Sequence, residues 1–459
     1  MPRTIHTTTS LALLGLLFIT FTQSGYAKAT PEEIAKLDSD EYTCMGAERA
    51  GTESGVAEYT GKWFKTWPGQ TKPHGYEPGP YADEKPLFTI TASNMAEHAD
   101  KLSAGQKGMF EKYPDSFKMH IYPSHRDFRF ADWVCEALKK NAAEATINAD
   151  GLGISGYGGA HPFPFPKNGS EAIWNVIKPH RAHTEQVTYD TADVYENGTI
   201  AWGKSDFKTM NPGTDPNPET RLNYDSKVDG YFYVKTLLPS RANGEVSVGY
   251  QPNNYSNDAT QAWQYQPGIR RVRKAPEVGF DYPVPPAGLR TVDDDYIFNG
   301  SPERYTWKLV GKKEMYVPYH NFKINDPAVS YKELITPNTI NPDYMRYELH
   351  RVWVIEAELK PGVRHIYKKR TIYADEDTWL ALMSDSYDNQ DKLWRVNWVA
   401  YFYSQESGTF HRSVSLYHNL TSGAYEATYL TNESDNWWRI NIPLKKQEFS
   451  PQAAARAGQ

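Results

Sequence analysis

The chain reads as a mainly β protein with a helical cover, built on a large antiparallel sheet, and three observations lead there. From Trp394 to Phe402 every second residue is apolar (Trp394, Val396, Trp398, Ala400, Phe402), with Arg395 and Asn397 between them, which is the period of a strand with one dry face. Further runs of this kind fill the C-terminal third, divided by polar breaks that suit hairpin loops: residues 374–377 (ADED), 388–391 (DNQD) and 422–423 (SG). No helical stretch there is long enough to carry a crossover between parallel strands, so consecutive strands pair antiparallel as a meander. A face bearing so many large apolar side chains must be covered, since each is worth roughly 1.5 to 3 kcal/mol when fully buried.

Taken in order, residues 1–27 have the layout of a secretory signal. Arg3 precedes the apolar run Leu11–Phe21, and Gly25-Tyr26-Ala27 places small residues ahead of a cut after Ala27. That run is shorter than the ~20 residues a membrane span needs, so an exported protein is expected. Residues 28–459 show no Ser/Gly tract or charge block, which predicts a single domain. Cys44 and Cys135 are the two cysteines of the chain. In an oxidising compartment they favour a disulfide; the alternative is two separately buried thiols.

Helices come next. Asn94 with Glu97, and Ser103 with Gln106, have capping-box spacing. Ala131, Val134, Cys135 and Leu138 share a helical face, and Ser170–Ile177 forms a further helix stopped by Pro179. Strands resume at Tyr231–Leu238, Glu245–Tyr250, Ala262–Tyr265 and Ile269–Lys274, with Pro267-Gly268 as a turn. After a Pro-rich stretch, Pro276–Gly288, a strand pair is expected at Tyr305–Val310 and Glu314–Val317. The strands Tyr347–Leu359, Arg364–Tyr373, Thr378–Met383, Trp394–Phe402, Arg412–Leu416 and Ala424–Leu430 follow, and the tail beyond Phe449 is expected to fray.

The net charge of −6 is spread evenly, which argues against nucleic-acid binding. No GxSxG, HExxH or P-loop occurs. Gly151-Leu-Gly153-Ile-Ser-Gly156 has dinucleotide-fingerprint spacing but lacks the strand before it and the helix after it, so it reads as a loop. Asp293-Asp294-Asp295 lacks calcium-loop spacing and reads as a solvated turn. His180 and His183 have no partner at zinc spacing and read as structural. Arg270, Arg271, Arg273 and Lys274 read as a solvated strand edge. No metal and no cofactor are expected.

Six stretches carry a resemblance: residues 86–95 (PLFTITASNM), 122–126 (YPSHR), 161–175 (HPFPFPKNGSEAIWN), 298–302 (FNGSP), 307–315 (WKLVGKKEM) and 347–353 (YELHRVW). On these the chain resembles a family of exported Gram-negative proteins of unknown function described as outer-membrane lipoprotein-sorting-like. It departs from its relatives at Glu58-Tyr-Thr-Gly61, where they tend to carry Trp before Thr-Gly. The resemblance implies a fold like the LolA/LolB lipoprotein carriers: a curved, incomplete antiparallel barrel with helices closing its concave side over an apolar cavity. It implies a periplasmic carrier or chaperone for a hydrophobic ligand (a lipid, a lipoprotein acyl chain or a hydrophobic small molecule) moving between the inner and outer membranes. Its partners would be an RND-type inner-membrane transporter and an outer-membrane protein. Combined with the strand pattern, this predicts a cavity lined by Trp353, Ile355, Trp394, Val396, Trp398 and Phe402. The competing class is a secreted hydrolase, which would require converging polar groups around a nucleophile and base.

Overall fold

A computed structural model describes residues 28–62, 74–222, 227–275, 280–434 and 437–459. The signal-like segment 1–27 and residues 276–279 of the Pro-rich stretch lie outside the described residues. The strands in chain order are β1 (Phe88–Ile90), β2 (Met119–Ile121), β3 (Thr146–Ile147), β4 (Ile154–Ser155), β5 (Thr184–Val194), β6 (Ile200–Met210), β7 (Val228–Leu238), β8 (Val246–Pro252), β9 (Gln261–Gln266), β10 (Arg271–Lys274), β11 (Tyr305–Pro318), β12 (Tyr347–Leu359), β13 (Lys369–Asp375), β14 (Ala381–Tyr387), β15 (Leu393–Ser404), β16 (Thr409–Asn419), β17 (Tyr425–Leu430) and β18 (Arg439–Ile440). The α-helices are short: α1 (Pro31–Lys36), α2 (Ala104–Lys112), α3 (Asp132–Glu144), α4 (Gly169–Ile177), α5 (Pro218–Leu222), α6 (Tyr331–Leu334) and α7 (Pro451–Gly458).

Sixteen of these strands form one sheet that does not close on itself, running β1-β2-β12-β13-β14-β15-β16-β17-β5-β6-β7-β8-β9-β10, with β11 added on β12 and β18 on β5. Two antiparallel meanders, β12 to β17 and β5 to β10, are joined where β17 pairs with β5. Pairing is antiparallel throughout except for a one-residue parallel contact, Tyr347 with Ile121, between β12 and β2. The hairpin β5–β6 falls where no strand is expected from the sequence. Thr184, Glu185, Gln186, Asp190 and Asp193 of β5, and the largely half-buried β6, dilute the apolar alternation that marks the other strands.

Several local expectations are corrected. Tyr305–Val310 and Glu314–Val317 are not a pair but one strand, β11, bulged between Leu309 and Gly311 and paired with β12 along its whole length. Asn94 does not cap a box; its side chain turns back to Thr91 N and Thr89 O, and a 3-10 turn over Met95–Lys101 follows. The tail does not fray: α7 opens on Ser450 as N-cap, packs on β8 and β9, and buries Ala454 completely.

Both sides of the central sheet are covered, which is the main departure from a strand with one dry face. Register places Ile355, Ile372, Ser384 and Asn397 in one row, and Val354, Tyr373, Met383 and Trp398 in the next, so the two rows face opposite ways. On the Trp398 side α2 is seated by a complete capping box. Ser103 Oγ accepts from Gln106 N at 3.0 Å, and Gln106 Nε2 reaches across to Tyr316 O of β11 at 2.8 Å. A glycine is required at 105, because a Cβ there would fall 2.7 Å from Val396 Cγ1. On the Ile355 side Gly169 lets α4 approach the backbone of Trp307 equally closely, and the segment Arg290–Phe298 covers the rest.

Candidate functional site

A cleft lies at the margin of the sheet, away from the aromatic strand. It has a volume of about 670 Å³ and is bounded by the ends of β6 and β7, by residues 212–220 and by residues 441–446. Its apolar lining is Met210, Tyr231 and Ile442, all buried, with Pro443 and Leu444, and its polar lining includes His183, the buried Asp215, Asn217, Thr220, Asn441 and Lys446. Each wall has a cause in the sequence. Asn211 fixes the turn after β6 by donating from Nδ2 to Ala182 O at 3.0 Å. The C-terminal segment is held by Thr184, whose Oγ1 donates to Ile442 O at 2.6 Å, and by Asn441 Oδ1, which accepts from His183 N at 2.9 Å. His183 Nε2 stands 3.4 Å from Asp215 Oδ2, and its Nδ1 2.9 Å from Asn211 O, so the ring is oriented across the mouth. The volume falls within the roughly 300 to 1,000 Å³ of small-molecule sites.

None of the six residues expected to line a cavity reaches this cleft, and register does not bring the six together. Trp353 and Ile355 face one side of the sheet, where Trp353 stacks on Trp379 with ring centres 5.4 Å apart. Val396 and Trp398 face the other, and Trp398 is packed by Phe117, Tyr347 and His418. Trp394, near the strand start, is half-buried and donates from Nε1 to Asn419 Oδ1 at 3.1 Å. Phe402, at the far end, packs on Phe322 and Trp437. Trp398 and Phe402 are core, and Trp353 and Trp394 are half-buried at its edge. The cleft residues went unread because residues 437–446 have no periodicity, and only proximity after folding unites them with β6 and β7.

The second feature, also unforeseen, is a buried ionic core. Asp293-Asp294-Asp295 is not a solvated turn. Arg370 donates to Asp293 Oδ2 and Asp294 Oδ1, each at 2.9 Å, Tyr367 OH to Asp294 Oδ2 at 2.8 Å, and Arg412 to Asp295 Oδ1 at 2.7 Å. Burial alone would raise Asp293 and Asp295, yet Arg370 with His365, and Arg412 with Arg290, outweigh it and hold both below the ordinary carboxylate range. On the same face, burial and the neighbouring Glu426 push Asp193 up to about 8. A second network joins Glu348, fully buried, to His320, Arg346 and His350, and joins Asp377 to Arg126. In β15 the positions that read as the wet face, Arg395 and Asn397, are thus buried and paired. Alternation in sequence reports polarity, whereas burial depends on what packs above.

A hydroxyl–imidazole–carboxylate relay does occur: Thr89 Oγ1 is 2.8 Å from His120 Nδ1, and His120 Nε2 is 2.9 Å from Asp343 Oδ1. Thr89 and His120 are direct cross-strand partners in β1–β2, and Asp343 is 57% exposed and also paired with Lys118, so the array is a surface pairing. Gly151 and Gly153 lie in the turn of the small β3–β4 hairpin and Gly156 just after it, with Gly151 O accepting from Trp174 Nε1.

The class defined by these features is an open, mostly antiparallel sheet covered on both faces, with a marginal cleft and a charged interior. The family described as "Protein of unknown function (DUF1329)" matches residues 89–455, and the chain belongs to it. A protein of Pseudomonas aeruginosa described as uncharacterized is 39% identical over 436 residues, 94% of each chain. Among solved structures, a domain from Vibrio parahaemolyticus described as a candidate outer-membrane lipoprotein-sorting protein domain is 14% identical, with a TM-score of 0.40, covering 60% of this chain and 92% of its own. A LolA superfamily protein from Nitrosomonas europaea is 9% identical, with a TM-score of 0.33, covering 59% and 90%. Among the described residues no helix is long and apolar enough to cross a membrane.

Proposed function

We propose that the protein is a periplasmic carrier or chaperone that holds a hydrophobic ligand in the cleft between β6, β7 and the 441–446 segment while the ligand passes between the inner and outer membranes. The observation that supports this is the cleft: about 670 Å³, open to solvent, and lined by the apolar Met210, Tyr231, Ile442, Pro443 and Leu444 together with polar groups such as His183, Asp215, Asn441 and Lys446. A bound acyl chain or polycyclic molecule would cover that apolar lining, each buried CH₂ contributing about 0.8 kcal/mol, and leave its polar end beside His183, Asp215 and Lys446. An RND-type transporter on one side and an outer-membrane protein on the other would deliver and receive it. The reading assigns no catalysis.

Titration with a fluorescent apolar probe such as N-phenyl-1-naphthylamine tests it. Leu444→Asp should weaken binding at least tenfold with the melting temperature unchanged, because Leu444 is only half-buried. Trp398→Ala, in the solid core, should lower stability by roughly 3 to 5 kcal/mol and leave the affinity of the folded fraction intact. Equal affinity in Leu444→Asp and the parent protein would remove the cleft from the account.

A further inference from the structure

We propose that His350, Asp375 and Asp377 form a solvent-closed site for one divalent transition-metal cation of the zinc class, tying β12 to the turn between β13 and β14. Asp375 and Asp377 are two residues apart, but His350 lies about 25 residues earlier on another strand, so no spacing motif announces the trio. Register explains their meeting: Asp375 is the direct partner of Val352 on β12, and His350 is the next residue on that face. One ligand atom of each lies within 4.8 Å of the others, and the three residues are 1%, 1% and 3% exposed.

The hydrogen bonding around the trio leaves one atom on each of His350 and Asp375 unused. His350 Nε2 lies 3.0 Å from Glu348 Oε2, and Tyr319 stacks on the imidazole with ring centres 3.8 Å apart, so the ring is fixed with Nδ1 pointing away from Glu348. Asp375 Oδ2 accepts from Thr378 Oγ1 at 2.6 Å and from Tyr319 OH at 3.1 Å. Asp377 accepts from Arg126 Nε and Nη2 at 2.7 and 2.6 Å. The remaining atoms, His350 Nδ1 and Asp375 Oδ1, have no hydrogen-bond partner. Two unpaired buried polar atoms in one place cost what two lost hydrogen bonds cost, and a cation between them removes that cost.

The surroundings match what metal ligands require. A carboxylate on the far nitrogen of a ligating histidine sets its tautomer and raises its basicity, and carboxylate ligands are themselves hydrogen-bonded from outside. Glu348, Thr378, Tyr319 and Arg126 stand in those positions. Of the nearby cations, Arg126 is spent on Asp377, while Arg351 and Lys312 both pair with Glu376. One nitrogen and two carboxylates select zinc, manganese or iron over calcium, whose ligands are all oxygen. A site without an open face is structural, and its metal would act as a staple.

The test unfolds the full chain in guanidinium with EDTA and the disulfide intact, removes both, and refolds it with and without Zn²⁺. The refolded parent should retain one zinc per chain through gel filtration, by mass-spectrometric metal analysis, and melt at a higher temperature than the zinc-free sample. The double variant His350→Gln/Asp375→Asn should retain none, whereas His120→Gln, altered in the surface Thr89–His120–Asp343 array, should retain the full amount. Less than a tenth of an equivalent on the parent, or equal zinc on the double variant, overturns the proposal. If the double variant does not fold, the cobalt form of the parent decides. An intense, structured visible spectrum of low-coordinate imidazole–carboxylate ligation supports the site, and the pale spectrum of aqueous cobalt overturns it.

Discussion

Asp385 shows how a single buried residue sets a pH dependence. It sits on β14 beneath α2, where burial pushes its carboxyl up to about 6, against the pull of the Gly105 and Ala104 N–H groups and the Tyr373 and Ser103 hydroxyls. Its ordinary value is 3.8, so between roughly pH 4 and 6 the folded protein keeps a proton that the unfolded chain has lost. Stability from this residue therefore falls as pH rises through that window. The buried histidines His161, His180 and His418 act in the opposite sense. Burial pushes them down to about 3, 4 and 4, the unfolded chain binds their protons first, and stability is lost as pH falls below the ordinary value of 6.5. Asp385→Asn isolates the first effect. Thermal melts should show the variant gaining on the parent at pH 7, by on the order of 3 kcal/mol for a shift of about two units, with the gain gone at pH 4. An equal difference at both pH values would show that the gain has another source.

At the scale of elements, what the sequence disclosed and what it withheld divide along one line. The meander β12 to β17 was legible because its strands alternate and its breaks are turn residues; so were α2, from the box at Ser103 and Gln106, and α4. Withheld were elements whose partners are remote. The Asp293–Asp295 segment becomes interior only because Arg370 of β13 and Arg412 of β16 project into it, and α7 only because β8 and β9 offer it a floor. The cleft belongs to this second group, since its two walls are about 200 residues apart. The dependence of that segment on β13 can be measured. Arg370→Met leaves Asp293 and Asp294 without their main counter-charge and should cost roughly 3 to 5 kcal/mol in urea denaturation. A loss under about 1 kcal/mol would mean that His365, Tyr367 and Asn397 suffice to hold the carboxylates.

Across the whole molecule, the connection that reaches furthest outside the sheet is the bond between Cys44 and Cys135, which fixes the N-terminal segment to α3 over a separation of 91 residues. A loop of that length is worth roughly 4 to 5 kcal/mol of restricted unfolded-state freedom. Denaturation of the Cys44→Ser/Cys135→Ser variant should show a loss of that order, while the distant cleft keeps its affinity for an apolar probe. A variant as stable as the parent would mean that α3 is held by packing alone. The seam between β17 and β5 has a different consequence, one of timing. Thr191 pairs with Thr428, so as the polypeptide is synthesised, some 240 residues must follow β5 before its partner exists. During that interval the early half of the sheet carries an unsatisfied strand edge, the kind of surface on which neighbouring chains aggregate. Only once β17 has been made can that edge be covered.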